Sequence, residues 1–455
     1  MRKMTLTRAL AVVGSLALVL SACGDDDDDA SSGATSATTT QAGGTEPATD
    51  EGGGEDVTLS LQVGDDGTAV AQAEGLTAAF TELHPNITFD IETRPGGTEG
   101  DNIVKTRLST GEMTDVFFYN SGSLMQALNP EESMVDLTAD PMLDNVVDDF
   151  IPTVTHNGKV FGVPVGTGFG GGILYNRTVF EEHGLEVPTT WDEFAANNDA
   201  LKEAGVTPVG ASFGDTWTSQ LFVLADYHNV AQAEPNFAED YTANEAKYAT
   251  TPAALAGFEH LQEAFDKDWW NEDYGSALFE DAQAMLLDGE IAQYPMLTFA
   301  LPGLASIDAE KAKDIGFFAQ PGPDASSNGM TLWLPGGAYI AATTDHPEEA
   351  KEFLAFIASV EGTEATTAST PPAGPYLIEG ATLPDDVLPA VKDVEAYLLD
   401  DKFTPALEFV SPVKGPNLEN ITVEVGSGLR NAEDAAALYD EDVEKQAQQL
   451  GLPGW

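Results

Sequence analysis

Val57-Thr-Leu-Ser-Leu-Gln-Val63, Ala69 to Leu83, Ile87-Thr-Phe-Asp-Ile-Glu92, Asn102 to Ser109 and Asp115-Val-Phe-Phe-Tyr119 follow one another, and this run decides the fold. The first stretch alternates as a strand, and Gly64-Asp65-Asp66-Gly67 breaks it. Ala73, Leu76, Ala79, Phe80 and Leu83 then recur at helical spacing until His84-Pro85-Asn86 stops the helix. A second strand, a short helix and a third strand complete the run. Strand, helix, strand, helix, strand in so short a space predicts a mostly parallel sheet wrapped by helices.

Working outward, the pattern restarts beyond Val160-Phe-Gly-Val-Pro-Val165 and a glycine-rich break. Ile173-Leu-Tyr175 is extended, Thr190-Trp-Asp-Glu193 opens a helix through Leu201, and Thr207-Pro-Val-Gly210 is a short strand. Further helices are predicted over 251–266, 279–288, 347–359, 386–399 and 432–450. No internal repeat of fixed period appears. The residues alone predict a second α/β unit after the first.

The charge balance narrows function. Nineteen Lys and Arg face 76 Asp and Glu over 455 residues, a formal charge of −57. Such a surface repels phosphates, which excludes nucleic acid and disfavours anionic headgroups. With 42% hydrophobic residues the chain can bury a real core. Cys23 is the sole cysteine, so neither an internal disulfide nor a thiolate cluster can form. The six histidines are too scattered for a paired-ligand motif, and no cofactor or metal is expected.

Residues 1–22 read as a secretory signal: Arg2, Lys3 and Arg8 precede the apolar run Ala9 to Leu20. Leu20-Ser-Ala-Cys23-Gly24 resembles the bacterial lipobox, which implies lipidation of Cys23 and a tether to the outer face of the cell membrane. Residues 23–56 hold Asp25 to Asp29 and then mostly Ser, Thr, Ala and Gly, a flexible leash reaching about 30 Å by random-coil scaling.

Several stretches together carry a family resemblance. Asn157-Gly-Lys-Val-Phe-Gly-Val-Pro164, Ile173-Leu-Tyr-Asn176 and Val187-Pro-Thr-Thr-Trp-Asp-Glu-Phe194 form one ordered series. Phe80 to Ile87, Gly111 to Tyr119, Phe279 to Gly289 and Asp345 to Ile357 extend it. The series resembles the extracellular solute-binding proteins of ABC importers that carry sugars and oligosaccharides. The resemblance implies a two-lobe periplasmic-binding-protein-like α/β fold with three crossings and a ligand cleft that closes by hinge motion. It implies one lobe over 57–164 with 296–338 and another over 165–295 with 339–455. It also implies a monomeric receptor, not an enzyme, whose partners are a small solute and the importer's membrane subunits.

Candidate ligand residues follow. Asp65 and Asp66 end the first strand, where carboxylates accept sugar hydroxyls through charge-assisted hydrogen bonds. Tyr119 and Asn120 end the third strand at the same edge, where the family places a contact. Asp215 and Trp217 follow the short strand ending at Gly210, at the family's usual position for a stacking aromatic. Phe299 stands where the family often has a tryptophan, and Trp333 is the other candidate for that surface. Gly336 and Gly337 allow close backbone approach at the third crossing. By resemblance Thr167 and Phe169 face ligand at the first crossing, and Asn417 is a further cleft candidate.

Two other patterns compete. Gly166-Thr-Gly-Phe-Gly-Gly171 satisfies the dinucleotide fingerprint, yet neither a long helix nor the required acidic residue follows. Gly210-Ala-Ser212-Phe-Gly214 matches a nucleophile elbow, making a secreted serine hydrolase using Ser212 the rival from another class. Among binding proteins the alternative cargo is a polyamine or quaternary amine, since carboxylates beside aromatics also bind cations. A sugar or short oligosaccharide is the cargo best matched by carboxylates facing aromatic walls.

Overall fold

A computed structural model describes residues Glu55–Trp455, so the expected signal sequence, Cys23 and the leash to residue 54 lie outside the described residues. In chain order the strands of the two larger sheets are β1 (Val57–Gly64), β2 (Ile87–Arg94), β3 (Val116–Tyr119), β4 (Gly162–Pro164), β5 (Phe169–Asn176), β6 (Thr207–Val209), β7 (Ile291–Leu297), β8 (Ile315–Ala319), β9 (Met330–Trp333), β10 (Gly337–Ile340) and β11 (Phe403–Pro405). The helices that bear on the site are α1 (Gly67–Leu83), α2 (Gly97–Thr110), α3 (Phe279–Asp288), α4 (Pro347–Ile357), α5 (Val360–Ser369), α6 (Pro389–Leu399), α7 (Leu407–Val410) and α8 (Leu418–Gly426).

The first sheet has the order β2-β1-β3-β10-β4. β1 runs parallel to β2 and β3, whereas β10 is antiparallel to both β3 and β4. Leu59, Leu61 and Val63 are fully buried, because they share the face of an interior strand that helices cover. Among them α4 packs on β1 and β10, and α5 lies along α1. Asp66 starts α1 as its N-cap, accepting from the Ala69 amide at 3.0 Å.

The second sheet has the order β11-β9-β5-β7-β6, with β8 also pairing β5. It does not repeat the first. β5 is antiparallel to β7, β8 and β9, and only β6–β7 and β9–β11 pair in parallel. The second half of the glycine run that resembles a dinucleotide turn, from Phe169 onward, is part of this central strand. It continues extended to Asn176, because aromatic rings and neighbouring backbone lie on it: an added Cβ at Gly171 would come 2.3 Å from the Trp333 ring.

The expected lobe boundaries need correction. Of 296–338, only Gly337 and Ala338 join the first sheet: β7 pairs β5 through Leu297, and β8 and β9 pair β5 as well. The chain crosses back at Leu334-Pro335-Gly336, so β10 is the strand that joins the first sheet. Nor does 339–455 belong wholly to the second unit. α4 packs on the first sheet, α5 packs on α1 and α4, and Ile378 still bridges Val146. The third crossing comes between that bridge and α6, which packs on β8.

Candidate functional site

The carboxyl ends of β1, β2 and β3 face the second sheet across a cavity of about 640 Å³. Its size falls within the range of about 300–1,000 Å³ typical of small-molecule sites. Asp65, Asp66, Tyr119, Asn120, Thr167, Phe169, Asp215, Trp217, Phe299, Trp333, Gly336 and Gly337 all line it. Asn417 does not. Its amide donates to Asp442 Oδ2 at 2.8 Å and its side chain accepts from Asn420, so it starts α8 on the outside, while Pro416 and Glu419 reach the cavity.

The lining residues differ in what they leave free. The Asp66 carboxylate caps α1, and Asp215 Oδ2 accepts from the Phe279 amide at the start of α3 at 2.7 Å. Tyr119 is almost wholly buried, and its hydroxyl donates to Asp101 Oδ1 at 2.8 Å. Burial first, and the Asp101 carboxylate second, push this phenol well above its usual range, so it stays neutral. Asp65 and Asn120, by contrast, are exposed at the cleft edge, and the Asp65 amide ties the ends of β1 and β2 by donating to the Arg94 carbonyl at 2.9 Å.

Aromatic rings build the opposite wall. Trp217 lies 5.2 Å from Phe279 and 5.8 Å from Phe299, and these two phenylalanines stack at 5.5 Å with 29° between planes. Phe169 meets Phe299 edge-on at 6.0 Å. The result is one slab of rings on the second lobe facing hydrogen-bonding groups on the first.

Sequence reasoning missed other lining residues. Phe279 reads as a helix start, and only its position after Asp215 in space makes it part of the slab. Arg94 closes β2, donates to the carbonyls of Pro95 and Phe118 at 3.2 and 3.4 Å, and sits 5.2 Å from the Tyr119 ring centre. Glu408, Lys414 and Glu419 come from the last third of the chain and carry no local signal.

Glu419 also joins the two sides. Gly96, at the start of α2, offers no side-chain cap. Glu419 Oε1 instead accepts from the Thr98 amide at 3.4 Å, and Thr98 Oγ1 donates to the Pro416 carbonyl at 3.3 Å. A buried carboxylate of the second lobe therefore sits at the positive end of a first-lobe helix.

Ser212 lacks the surroundings of a nucleophile. It is fully buried, and its hydroxyl meets Thr218 Oγ1 at 3.1 Å and the Tyr294 hydroxyl at 2.6 Å. His228 bonds Thr404 and Ser327, and His260 stacks on Trp191, so neither serves as its base.

Residues 64–364 match the family model of the bacterial extracellular solute-binding proteins. The multiple sugar-binding protein of Streptococcus mutans is 25% identical over 286 residues, covering 61% of this chain and 65% of that protein. The melibiose/raffinose/stachyose-binding protein of Bacillus subtilis is 22% identical over 293 residues, covering 62% and 65%. The chain thus spans just under two thirds of the length of these curated relatives. Among solved structures, a chitin oligosaccharide binding protein superposes with TM-score 0.73 at 22% identity, over 87% of this chain and 100% of that one. A raffinose complex of the solute-binding protein RafE superposes with TM-score 0.69 at 22% identity, over 87% and 99%. These likenesses establish the two-lobe fold.

Proposed function

This chain belongs to the bacterial extracellular solute-binding proteins, and on that premise we propose that it captures a sugar or short oligosaccharide outside the cytoplasm and delivers it to an ABC importer. It performs no chemistry, and a lipid at Cys23 holds it to the outer face of the membrane. The observation that carries the reading is the cavity itself, an aromatic slab on one lobe opposed by hydrogen-bonding groups on the other. A pyranose presents C–H groups on its faces and hydroxyls at its rim, and this arrangement matches both.

Asp65 and Asn120 accept and donate to hydroxyls at the free edge. Trp217, Phe279 and Phe299 cover one sugar face, and Trp333 covers another part of the wall. Asp66, Asp215 and Tyr119 shape the cleft from beneath, because their polar atoms already serve protein partners. The rings pack against each other as a slab rather than enclosing a box, which favours a sugar over a quaternary amine. Closure of the lobes around the sugar produces the form the importer recognises.

A thermal-unfolding screen of the full chain against mono-, di- and trisaccharides, polyamines and betaines tests this. A ligand at one hundred times its Kd adds about 2.7 kcal/mol, enough to move Tm by several degrees. A shift with one saccharide series supports the reading. A shift with amines alone contradicts it while keeping the receptor.

A further inference from the structure

We propose that Glu408, held by Lys414, is the positioning residue that fixes Trp333 as a rigid wall of the cleft; this rests on the ligand site proposed above. The topology brings the three together. β11 runs parallel to β9 with Leu332 opposite Pro405, and the Ala406 amide donates to the Leu332 carbonyl at 2.9 Å. β11 therefore ends beside Trp333, and the short α7 that follows sets Glu408 against the indole.

The contacts on the two carboxylate oxygens differ. Trp333 Nε1 donates to Glu408 Oε1 at 2.6 Å, and Lys414 Nζ donates to Oε2 at 3.3 Å. The pair is shielded: the Lys414 and Glu408 side chains are 13% and 14% exposed, whereas in every other ion pair of the described residues at least one side chain is more than 30% exposed. A shielded carboxylate costs heavily unless its charge is paired, and Lys414 supplies that charge. The Trp333 ring is held from below as well, because it lies on the glycine backbone of β5 at Gly171.

An indole fixed at its N–H edge and seated on glycine cannot rotate away when the cleft is empty. Binding then loses no rotamer freedom at this wall, which is the gain expected from preorganisation. Glu408 acts through Trp333, so its role differs from that of a carboxylate that meets sugar hydroxyls directly. The same segment reaches the first lobe, since an added Cβ at Gly122 would lie 2.5 Å from the Glu408 carbonyl. The wall is thus completed where the two lobes meet.

The test is the indole ¹⁵N–H spectrum of the full chain, with Trp333→Phe identifying the Trp333 resonance and no sugar present. Glu408→Gln keeps an oxygen acceptor and should leave a resolved, hydrogen-bonded resonance. Glu408→Ala should move it toward the position of a free indole and broaden it, while Tm and circular dichroism show a folded chain. Lys414→Met should lower Tm, and Glu408→Gln/Lys414→Met should recover most of that loss. A Trp333 resonance unmoved in Glu408→Ala overturns the proposal; should that variant not fold, absence of recovery in the double variant overturns it. Raffinose titrations add a second readout: Glu408→Ala should raise Kd about tenfold and Glu408→Gln no more than about threefold. Equal losses in both would overturn the positioning role. The resonance measurement involves no sugar, so its failure is distinct from failure of the saccharide reading.

Discussion

Replacing Glu419 by alanine removes the one carboxylate that caps α2 from across the cleft. α2 has fourteen residues and no cap of its own, so its first amides depend on Glu419 when the lobes are shut. A carboxylate at a helix N-terminus contributes about 0.3–1 kcal/mol when exposed and up to about 2 when partly buried. The 3.4 Å contact is at the outer limit of a hydrogen bond, which places this one near about 1 kcal/mol. The contact spans the two lobes, so opening of the cleft would break it and the whole amount would fall on the closed-to-open ratio, about fivefold. Titration calorimetry of the full chain with a bound saccharide should give a Kd raised by up to about fivefold for Glu419→Ala. Small-angle scattering without sugar should show a larger radius of gyration to the extent that the loss of affinity falls short of fivefold, with Tm little changed. The Thr98 hydroxyl keeps its bond to the Pro416 carbonyl in the variant, so the effect isolates the carboxylate. Unchanged affinity and radius would refute the reasoning. Tighter binding would refute it too, by showing that desolvation of the carboxylate outweighs the cap.

Other outcomes follow from single observations. Trp217→Ala removes the largest ring of the slab and should raise the saccharide Kd about tenfold, or about 1.4 kcal/mol, in calorimetry; an unchanged Kd would remove the slab from the site. Gly171→Ala drives a methyl into the Trp333 ring and should cost about 1–3 kcal/mol in urea unfolding together with affinity; full tolerance would contradict the seat described for that ring. Asp226 is buried with the Asn229 amide as a partner, and burial raises its carboxyl from the usual 3.8 to about 7. The folded chain thus holds this proton more tightly than the unfolded one. The group's full stability is present below about pH 4 and drains as pH rises to about 7, by up to about 4 kcal/mol. The advantage of Asp226→Asn over wild type should therefore grow between pH 4 and pH 7 and then level; an advantage independent of pH would contradict the assignment.

Much of the first lobe was legible because its signals are local. Alternation in Val57 to Val63, the break at Gly64 to Gly67 and the proline stop at His84-Pro85 each act within a few residues, and β1 and α1 lie at or next to the expected bounds. The cleft edge was legible for the same reason, since residues at the carboxyl ends of parallel strands point into it. α2 begins at Gly97, five residues before the predicted start. Two glycines mask that beginning, and its cap arrives from a residue 321 positions away.

The second lobe was harder because its pairings are long-range. β5 pairs with β7, β8 and β9, and nothing in the local pattern of Ile315 to Trp333 says which sheet will take it. The glycines at 170–172 resemble a turn, yet they serve a central strand crossed by the rings of Phe317 and Trp333. Glu408, Lys414 and Glu419 reach the site because the chain returns to the second sheet after α5, a path set by packing rather than by any short motif.

The ring slab of the second lobe and the Asp65 edge of the first define where the proposed saccharide binds. Calorimetric titration of the full chain with di- and trisaccharides, beside a Trp217→Ala/Asp65→Ala variant that keeps its wild-type Tm, tests it most directly. Wild type should bind at least one saccharide with micromolar Kd, about −8 kcal/mol, and the variant should lose that binding. Equal binding by both proteins, or binding of spermidine or betaine and of no saccharide, would contradict it.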